Sequence, residues 1–477
     1  MAKHDLYESP LCGRYSSVEM QRVWSDDTKY GLWRRIWVAV AKAQYRWRVP
    51  NISREQIAEM EAHVDDINYD RVIEFERKLK HDVVSHNKAF GLVAPSAAPI
   101  IHLGCTSCDI TDNAELIQIR DSLLIVRRRL SNLLTAINEF IKRYPNLATL
   151  GRTHLMTAQP TTVGKRAAMW ATEIMMDLEE VRDLISWLPF RGLKDATGTQ
   201  ASLLELVKDR DSVLGMENHV AAKFGFKTIL SITGQTYMRK IDTKVLSVLA
   251  SMAASIHKIA FDIRELQELG EMEEPFEEGQ VGSSRMPHKR NPMRSERACS
   301  LARELMGAVP SALNTQALQL FERTLDDSAG RRRYLPESFL LADSITRIMI
   351  NVFQDLRVYP KVIERNLKAE LPFLASALIM ERMFQAGADR QEAHERLRQH
   401  AHAELLRQRE GESIDLIGRI RADKYFAPIV DQLDDILDPQ KFVGAAPQQA
   451  EEFARATEEL LAQFPKDADS ERVQLSV

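Results

Sequence analysis

The sequence lacks the features that mark several large classes of protein. Its four cysteines are too few for a disulfide framework in a chain of 477 residues. Its 64 lysines and arginines nearly balance 68 aspartates and glutamates, which argues against broad binding to nucleic acid or membrane surfaces. No apolar run approaches the roughly 18 residues of a membrane span, and the opening MAKHDLYESP contains no apolar secretory segment. We therefore expect a cytoplasmic protein in which any anionic ligand is bound by a local cluster of residues.

Two of the cysteines, Cys105 and Cys108, form a CxxC. Zinc and redox sites both use this spacing, but a structural zinc site needs four ligands. No second CxxC or HxxxH accompanies the pair. We interpret both residues as reduced cysteines in a loop, and the sequence predicts no metal site.

Apolar residues recur in steps of three and four through several long segments, which is the spacing of a helix with one buried face. The segments are 112–144, 165–188, 241–269, 293–320 and 335–357. No run of alternating residues signals a strand, so the sequence predicts an all-α protein. Helices this long cannot bury an apolar face alone, so we expect them to pack in a bundle and to associate into oligomers.

The helical pattern breaks at 105–111 and again at 358–360. After the first break, Asp112 and Glu115 are interpreted as the capping pair of the first long helix. These breaks predict an N-terminal helical domain (1–110), a central helical bundle (111–358) and a C-terminal helical domain (359–477).

A non-helical stretch, VGSSRMPHKRNP, occupies 281–292 in the middle of the helical pattern. Pro287 and Pro292 bar a regular helix through it, because proline lacks an N–H and restricts the residue before it. The whole loop, 273–292, has about twenty residues, and loops of that length are usually functional or disordered. We expect a lid that closes over a ligand, with a solvated surface loop as the alternative that composition alone allows.

The chemistry of this loop favours an anion site. Backbone N–H groups after Gly282 can face an anion, and Lys289 supplies a point cation. A hydroxyl at Ser283 or Ser284 can act as a base once it is ionised, which a cationic loop that excludes water promotes.

Polar residues elsewhere are further candidates. His154, in the GRTH link between two long helices, suits general acid catalysis, although an isolated histidine is more often structural. Of His81 and His86 in KHDVVSH, at most one is expected to serve a site. Other candidates are Gln235 in TGQTY, the pair Arg14 and Tyr15, and the cluster of Arg323, Arg331, Arg332 and Arg333 around Ser328, which is either an anion clamp or a solvated basic face.

These motifs resemble those of a known family. GSSRMPHKRNP resembles the signature loop of the fumarase/aspartase superfamily. Its KRNP ending, the MRSER that follows, and RYSS, HDVVSH, GRTH, TGQTY and FERTLDDSA in the same order resemble the animal type of the adenylosuccinate lyase family. The resemblance extends over nearly the whole chain.

The resemblance implies a fumarase/aspartase-like fold of three helical domains, whose central bundle forms a homotetramer with active sites shared between subunits. It implies β-elimination of fumarate from adenylosuccinate, giving AMP, and from succinylaminoimidazole carboxamide ribotide, giving AICAR, in purine biosynthesis. The implied partner is a small-molecule substrate, with no nucleic acid or membrane. No metal or cofactor is implied, because the reaction involves neither redox chemistry nor hydrolysis.

The resemblance also implies roles for individual residues. Ser283 would be the general base, His154 the general acid on the departing purine nitrogen, and Lys289 the cation that stabilises the carbanion. Substrate binding is implied at the matching positions Arg14, Tyr15, Lys80, His81, Asp82, Thr106, Ser107, Gln235, Ser284, Asn291, Arg297, Arg323, Ser328 and Arg332.

Two positions depart from the family pattern. Met156 stands where the family usually has glutamine, a loss that Gln159 can offset, and Lys80 stands where many relatives have arginine. Two alternatives also remain open. Carboxymuconate cycloisomerase relatives can show MPHKRNP, but FERTLDDSA and TGQTY weigh against them. Lyases of this superfamily have also been reused as silent structural proteins, but intact Ser283, Lys289 and His154 weigh against that reading.

Overall fold

The computed structural model of the chain describes residues 5–464, 467 and 472–476. Within these residues the protein is mostly helical, so the predicted all-α class is confirmed, although two small antiparallel sheets accompany the helices. The strands are β1 (Ala148–Thr153), β2 (Met156–Thr162), β3 (Met272–Glu273) and β4 (Arg357–Val358), with β1 paired to β2 and β3 to β4. The α-helices are α1 (Val18–Val23), α2 (Asp26–Arg46), α3 (Arg54–Ala62), α4 (Tyr69–Leu79), α5 (Asp82–Val93), α6 (Ser107–Arg143), α7 (Val163–Trp187), α8 (Ala201–Val207), α9 (Arg210–Lys223), α10 (Lys240–Glu268), α11 (Met293–Gly307), α12 (Val309–Ala317), α13 (Asp327–Asp355), α14 (Pro360–Leu374), α15 (Ser376–Gln385), α16 (Arg390–Arg409), α17 (Leu416–Ala422), α18 (Leu433–Ile436) and α19 (Ala446–Leu461).

The long helices of the bundle lie close to where the apolar spacing predicts them. Helices α6, α7 and α10 cover the predicted segments 112–144, 165–188 and 241–269. Helix α6 packs against α7 and α13, while α10 packs against α7, α11 and α13. Their apolar faces form one large core, in which each fully buried leucine or isoleucine stabilises the fold by about 1.5–3 kcal/mol.

Two predicted helices differ in extent. The segment 293–320 contains two helices, α11, which ends at Gly307, and α12, which begins at Val309. Pro310 lies in the first turn of α12, a position that favours proline because an N–H there would have no partner within the helix. The segment 335–357 belongs to α13, which begins earlier, at Asp327, and continues through Pro336. The arginine cluster of the sequence therefore lies largely on a helix.

The start of α6 also differs from the prediction. The capping pair of Asp112 and Glu115 is wrong, because α6 begins at Ser107. Thr106 is the N-cap, and its N–H donates to a carboxylate oxygen of Asp109 at 2.8 Å. Residues read as part of an irregular break therefore form the first turn of the longest helix.

Helix α10 is long and apolar enough to span a membrane by length and composition. The expectation that no segment approaches a membrane span is therefore wrong for this helix. In the structure, α10 packs against α7, α11, α12 and α13, with its apolar side chains in the common core. Less than half of its apolar stretch is buried, and the helices that pack on several sides of α10 account for the apolar residues on those sides.

A hairpin of β1 and β2 joins α6 to α7. Thr153 pairs with Met156, so His154 and Leu155 form a two-residue turn with φ angles of 55° and 61°. Left-handed angles at both positions are those of a tight hairpin turn. The predicted non-helical link at GRTH is confirmed, but the expectation of no strand is wrong. The alternation is missing because β1 buries three consecutive residues at its base and then becomes exposed.

A second, smaller core lies after residue 359. It contains Ile379, Met383, Leu397 and Phe426. Helix α14 connects the two cores, because Ile363 belongs to the first and Phe373 packs against the second. On the same helix, Leu367 packs against apolar residues of β1. The hairpin is therefore in contact with the C-terminal part of the chain.

One buried carboxyl on α7 makes stability depend on pH. Asp177 is 3% exposed and its Oδ2 has no hydrogen-bond partner. Burial, with smaller contributions from Glu180 and Glu173, outweighs a hydrogen bond from Ser255 and raises its pKa to about 7. Because the folded state binds this proton more tightly than the unfolded state, stability falls as pH rises from about 4 to 7.

We expect Asp177→Asn to stabilise the protein at pH 8, by up to about 4 kcal/mol, and far less at pH 5. The amide resembles the protonated carboxyl and carries no charge to bury. Thermal unfolding at both pH values measures the difference. Asp183→Asn, an exposed change on the same helix, is the control. Equal stabilisation by Asp177→Asn at both pH values would contradict the assignment.

Candidate active site

A cavity of about 760 Å³ lies where three helices begin. His81 and Asp82 start α5, Thr106 and Ser107 start α6, and Ser328 lies in the first turn of α13. The free N–H groups and the dipole of a helix N-terminus favour an anion. The predicted substrate-binding residues that line this cavity are Lys80, His81, Asp82, Thr106, Ser107, Gln235, Arg323, Ser328 and Arg332.

Arginine side chains add donors for an anion. Arg323 donates to Oε1 of Gln235 at 3.0 Å and contacts Sγ of Cys108 at 2.6 Å. Arg332 forms an ion pair with Asp82 at 2.9 Å, and more than half of its side chain is exposed. Both guanidinium groups offer the planar, two-pronged donors that suit phosphate and carboxylate.

Two lysines complete the positive lining. Lys80 ends α4 in a left-handed conformation with φ of 55°. Lys29, which the sequence did not single out, lies over the rings of Tyr30 and Trp33 at 5.0 and 5.5 Å. The ammonium group of Lys80 supplies charge without the paired donors of a guanidinium group.

A buried ionic network beneath the cavity joins α6, α10 and α13. Arg239 contacts Asp112 at 3.2 Å and Asp327 at 2.7 Å, while Arg331 contacts Asp242 at 2.7 Å. Burial opposes the charged form of Asp112, but the two arginines outweigh it and lower the pKa of this carboxyl. Loss of one partner would leave an unpaired buried charge, at a cost of about 3–5 kcal/mol. The network therefore fixes the helices that carry the cavity residues.

Two groups close to the cavity are kept neutral. His86 stacks on Tyr30 with 3.8 Å between ring centres, and burial lowers the pKa of its imidazole to about 4. Burial raises the pKa of the Cys108 thiol to about 12. Cys105 and Cys108 are both free, as interpreted from the sequence, but the expectation of a loop is wrong for Cys108, which lies in the first turn of α6. Of the two histidines in KHDVVSH, His81 lines the cavity and His86 does not.

The signature loop, residues 273–292, is folded back on itself. A Cβ at Gly282 would overlap the carbonyl oxygen of Lys289, so this close approach requires glycine. Oγ of Ser283 accepts the N–H of Met286 at 3.1 Å, and Nδ2 of Asn291 donates to the carbonyl oxygen of Gly282 at 2.8 Å. In this conformation, Ser283 and Asn291 therefore hold the shape of the loop.

Both ends of the signature loop are anchored to the bundle. Glu273 forms an ion pair with Arg290 at 3.2 Å. A buried carboxylate, Glu274, accepts the N–H groups of Arg294 and Ser295 at the start of α11, at 2.8 and 3.0 Å. Residues 284–290, which include Ser284 and Lys289, are exposed between these anchors. Fixed ends and an exposed centre are the geometry that a closing lid requires.

The remaining predicted residues lie outside the cavity of their own protomer. His154 is exposed at the hairpin tip, and Ser283 and Lys289 lie in the signature loop. Arg14 and Tyr15 lie in a π-helical turn, Leu11–Tyr15. Arg297 lies on α11, and its guanidinium is 5.6 Å from the ring centre of Tyr15.

Sequence reasoning missed several residues that line the cavity. On α6, Ser107, Thr111 and Glu115 recur every four residues and face the same side. The same spacing on α13 relates Asp327 to Arg331, which the arginine cluster of the sequence already includes. Apolar periodicity does not reveal such polar faces. The cavity residues that the sequence analysis did not assign to binding are Lys29, Trp33, Glu76, Val83, Cys108, Thr111, Asp112, Glu115, Arg239, Thr324, Leu325 and Asp327.

The fold matches known lyases. A family model described as "Lyase" matches residues 11–307. The structure resembles a fumarate lyase from Mesorhizobium sp. BNC1, with a TM-score of 0.81, 22% identity, and coverage of 94% of this chain and 99% of that chain. It also resembles a 3-carboxy-cis,cis-muconate lactonizing enzyme from Pseudomonas putida, with a TM-score of 0.82, 21% identity, and coverage of 94% and 98%. The family match over residues 11–307 places the chain among the lyases, and the two structures share its fold.

Relatives that match over their full length indicate which kind of lyase the chain is. The chain is 45% identical to an adenylosuccinate lyase of Schizosaccharomyces pombe over 482 residues and 44% identical to that of Saccharomyces cerevisiae over 483, with 100% of each chain covered. A second family model, described as "Adenylosuccinate lyase C-terminus", matches residues 372–453. The chain belongs to the adenylosuccinate lyase family, which confirms the resemblance that the motifs indicated.

Proposed function

We propose that the protein releases fumarate by β-elimination from adenylosuccinate, giving AMP, and from succinylaminoimidazole carboxamide ribotide, giving AICAR. The cavity carries this proposal, because three helix N-termini and the side chains of Lys80, Arg323 and Arg332 surround space for one small polyanion. A phosphate and two carboxylates on the substrate match this positive lining. Full-length identity to adenylosuccinate lyases supports the choice of substrate.

The proposed chemistry assigns a role to each catalytic residue. Ser283 removes a proton from the succinyl carbon next to a carboxylate, and Lys289 stabilises the doubly charged aci-carboxylate that forms. His154 donates a proton to the purine nitrogen as the C–N bond breaks. Donors and cations aimed at developing charge typically contribute about 10²–10³-fold in rate each, so the position of Lys289 matters as much as the base.

We further propose a homotetramer in which each active site combines residues of several protomers. The proposed catalytic residues lie outside the cavity of their own protomer, and a neighbouring chain is the source that we propose for them. Apolar side chains are also exposed beside the cavity, with Phe321 99% and Leu325 71% exposed. Such clustered exposed apolar groups are typical of surfaces that associate.

The domain limits and the cellular location belong to the same proposal. We propose domains at 1–110, 111–358 and 359–477, and the separate core around Phe426 supports the last of these. We also propose a cytoplasmic location. The four free cysteines fit a reducing compartment.

Purified protein is expected to release fumarate from adenylosuccinate, with a matching change in ultraviolet absorbance and one AMP formed for each fumarate. Carboxymuconate is the control substrate, because the Pseudomonas putida structure shares the fold. Turnover of carboxymuconate alone would favour a cycloisomerase. Stable protein with no turnover of either substrate would favour a silent scaffold.

A further inference from the structure

The hairpin that carries His154 rests on α14, a helix of the C-terminal part of the chain. Ala148 and Leu150, at the base of β1, pack with Leu367 and Leu374 of α14. This apolar contact secures the base of the hairpin. It lies several residues from the tip, so it does not by itself fix the imidazole.

Hydrogen bonds also attach the hairpin to its neighbours, both at its base and closer to its tip. At the base, Glu271 accepts hydrogen bonds from Oγ1 of Thr149 at 3.3 Å and from Nδ2 of Asn366 at 3.1 Å. Closer to the tip, Oγ1 of Thr157 donates to Oε2 of Glu370 at 3.0 Å. Asn366 and Glu370 are four residues apart on α14, so one face of this helix is linked to the hairpin directly through Glu370 and, at the base, through Glu271.

The contact at Thr157 is next to the turn. Thr157 pairs with Arg152, and the following pair, Thr153 with Met156, closes the turn that holds His154. All residues from 153 to 156 are exposed. An isolated two-stranded hairpin is marginally stable in water, so its outer end needs an external anchor to present a side chain in one place.

We propose that Thr157 and Glu370 are positioning residues, which hold the outer end of the hairpin so that His154 meets the substrate in one orientation. This inference rests on the proposed role of His154 as the proton donor. A hydrogen bond from a hydroxyl to a carboxylate is charge-assisted and directional, which suits it to fix a strand. The C-terminal helix thereby acquires a function in catalysis, although Glu370 acts through the hairpin and is not placed on the substrate.

The test compares variants of the assembled enzyme on adenylosuccinate. Thr157→Val keeps the side-chain shape and removes the donor, and we expect kcat to fall roughly tenfold while KM changes less than about twofold, because small misplacements act on the transition state. Thr157→Ser keeps the hydroxyl and should retain activity within about twofold of the parent. Glu370→Gln keeps an acceptor and should retain more activity than Glu370→Ala. Glu364→Gln, an exposed change on the same helix, is the control.

The effects of the two substitutions should not add. The kcat of the double variant Thr157→Val, Glu370→Ala should match that of the single variants, because each substitution already breaks the same hydrogen bond. In a His154→Ala background, Thr157→Val should lower kcat little further. A general loss of structure would instead lower kcat in both backgrounds alike. Circular dichroism and assembly size identify misfolded variants, and Glu370→Ala supplies the same comparison if Thr157→Val fails to fold.

The outcomes separate this inference from the proposed function. Undiminished turnover in His154→Ala would show that His154 is not the acid. A large loss in His154→Ala, with unchanged kcat in both Thr157→Val and Glu370→Ala, would overturn the positioning role alone.

Discussion

Replacing Ser283 by alanine is expected to lower kcat for fumarate release by roughly 10³-fold, with little change in KM. The substitution removes the proposed base, while the cavity that we propose for the phosphate and carboxylates stays intact. The substitution also removes a hydrogen bond within the loop, because Oγ of Ser283 accepts the N–H of Met286. The loss of the base must therefore be distinguished from a change in the conformation of the loop. Steady-state kinetics and equilibrium binding of AMP, measured on the same preparation, separate chemistry from binding.

Two further serine variants sharpen this result. Ser284→Ala distinguishes the neighbouring hydroxyl, and we expect a smaller loss of kcat than for Ser283→Ala. Ser413→Ala, in an exposed loop of the C-terminal part, should behave as the parent enzyme. If Ser283→Ala kept its kcat while Ser284→Ala lost it, the base would have to be reassigned to Ser284.

The helices of the bundle could be predicted because their apolar spacing is set by burial. Segment 112–144 was found within a few residues, although its start was placed too late, since Thr106 and Asp109 cap the helix from within an apparently irregular stretch. The hairpin could not be predicted in the same way. Its tip at His154 is fully polar or exposed, and its base is buried on consecutive residues, so neither helical nor alternating spacing appears.

The cavity could be predicted only in part. Motif resemblance identified residues such as Arg323 and Ser328, which line it. The ionic network of Arg239, Asp112 and Asp327 was not identified, because its members come from three separate segments and no local pattern relates them. Contacts of this kind are fixed by tertiary packing, which a single sequence does not display.

The proposed catalytic residues and the cavity are separate within one protomer. The cavity is lined by Lys80, Arg323 and Arg332, while Ser283 and His154 lie elsewhere on the chain. Symmetric oligomers can bring such separated surfaces together, because every protomer offers the same surfaces to its neighbours. Our central proposal is that a complete site takes Ser283 and His154 from different protomers.

This claim predicts that two inactive variants restore each other. Ser283→Ala and His154→Ala are each expected to be nearly inactive as pure tetramers. In tetramers mixed at random in equal amounts, about one quarter of the sites would receive an intact Ser283 from one protomer and an intact His154 from another. Activity should then rise to about a quarter of the parent value, a gain of roughly a hundredfold over either variant.

The most direct measurement is the fumarate-release rate of these mixed tetramers, with native mass spectrometry confirming that both variants are present in each particle. Recovery to about one quarter of the parent rate is the result that the shared site predicts. If the mixed tetramers were no more active than pure Ser283→Ala or pure His154→Ala, the proposal would be contradicted. Both residues would then have to come from the same protomer.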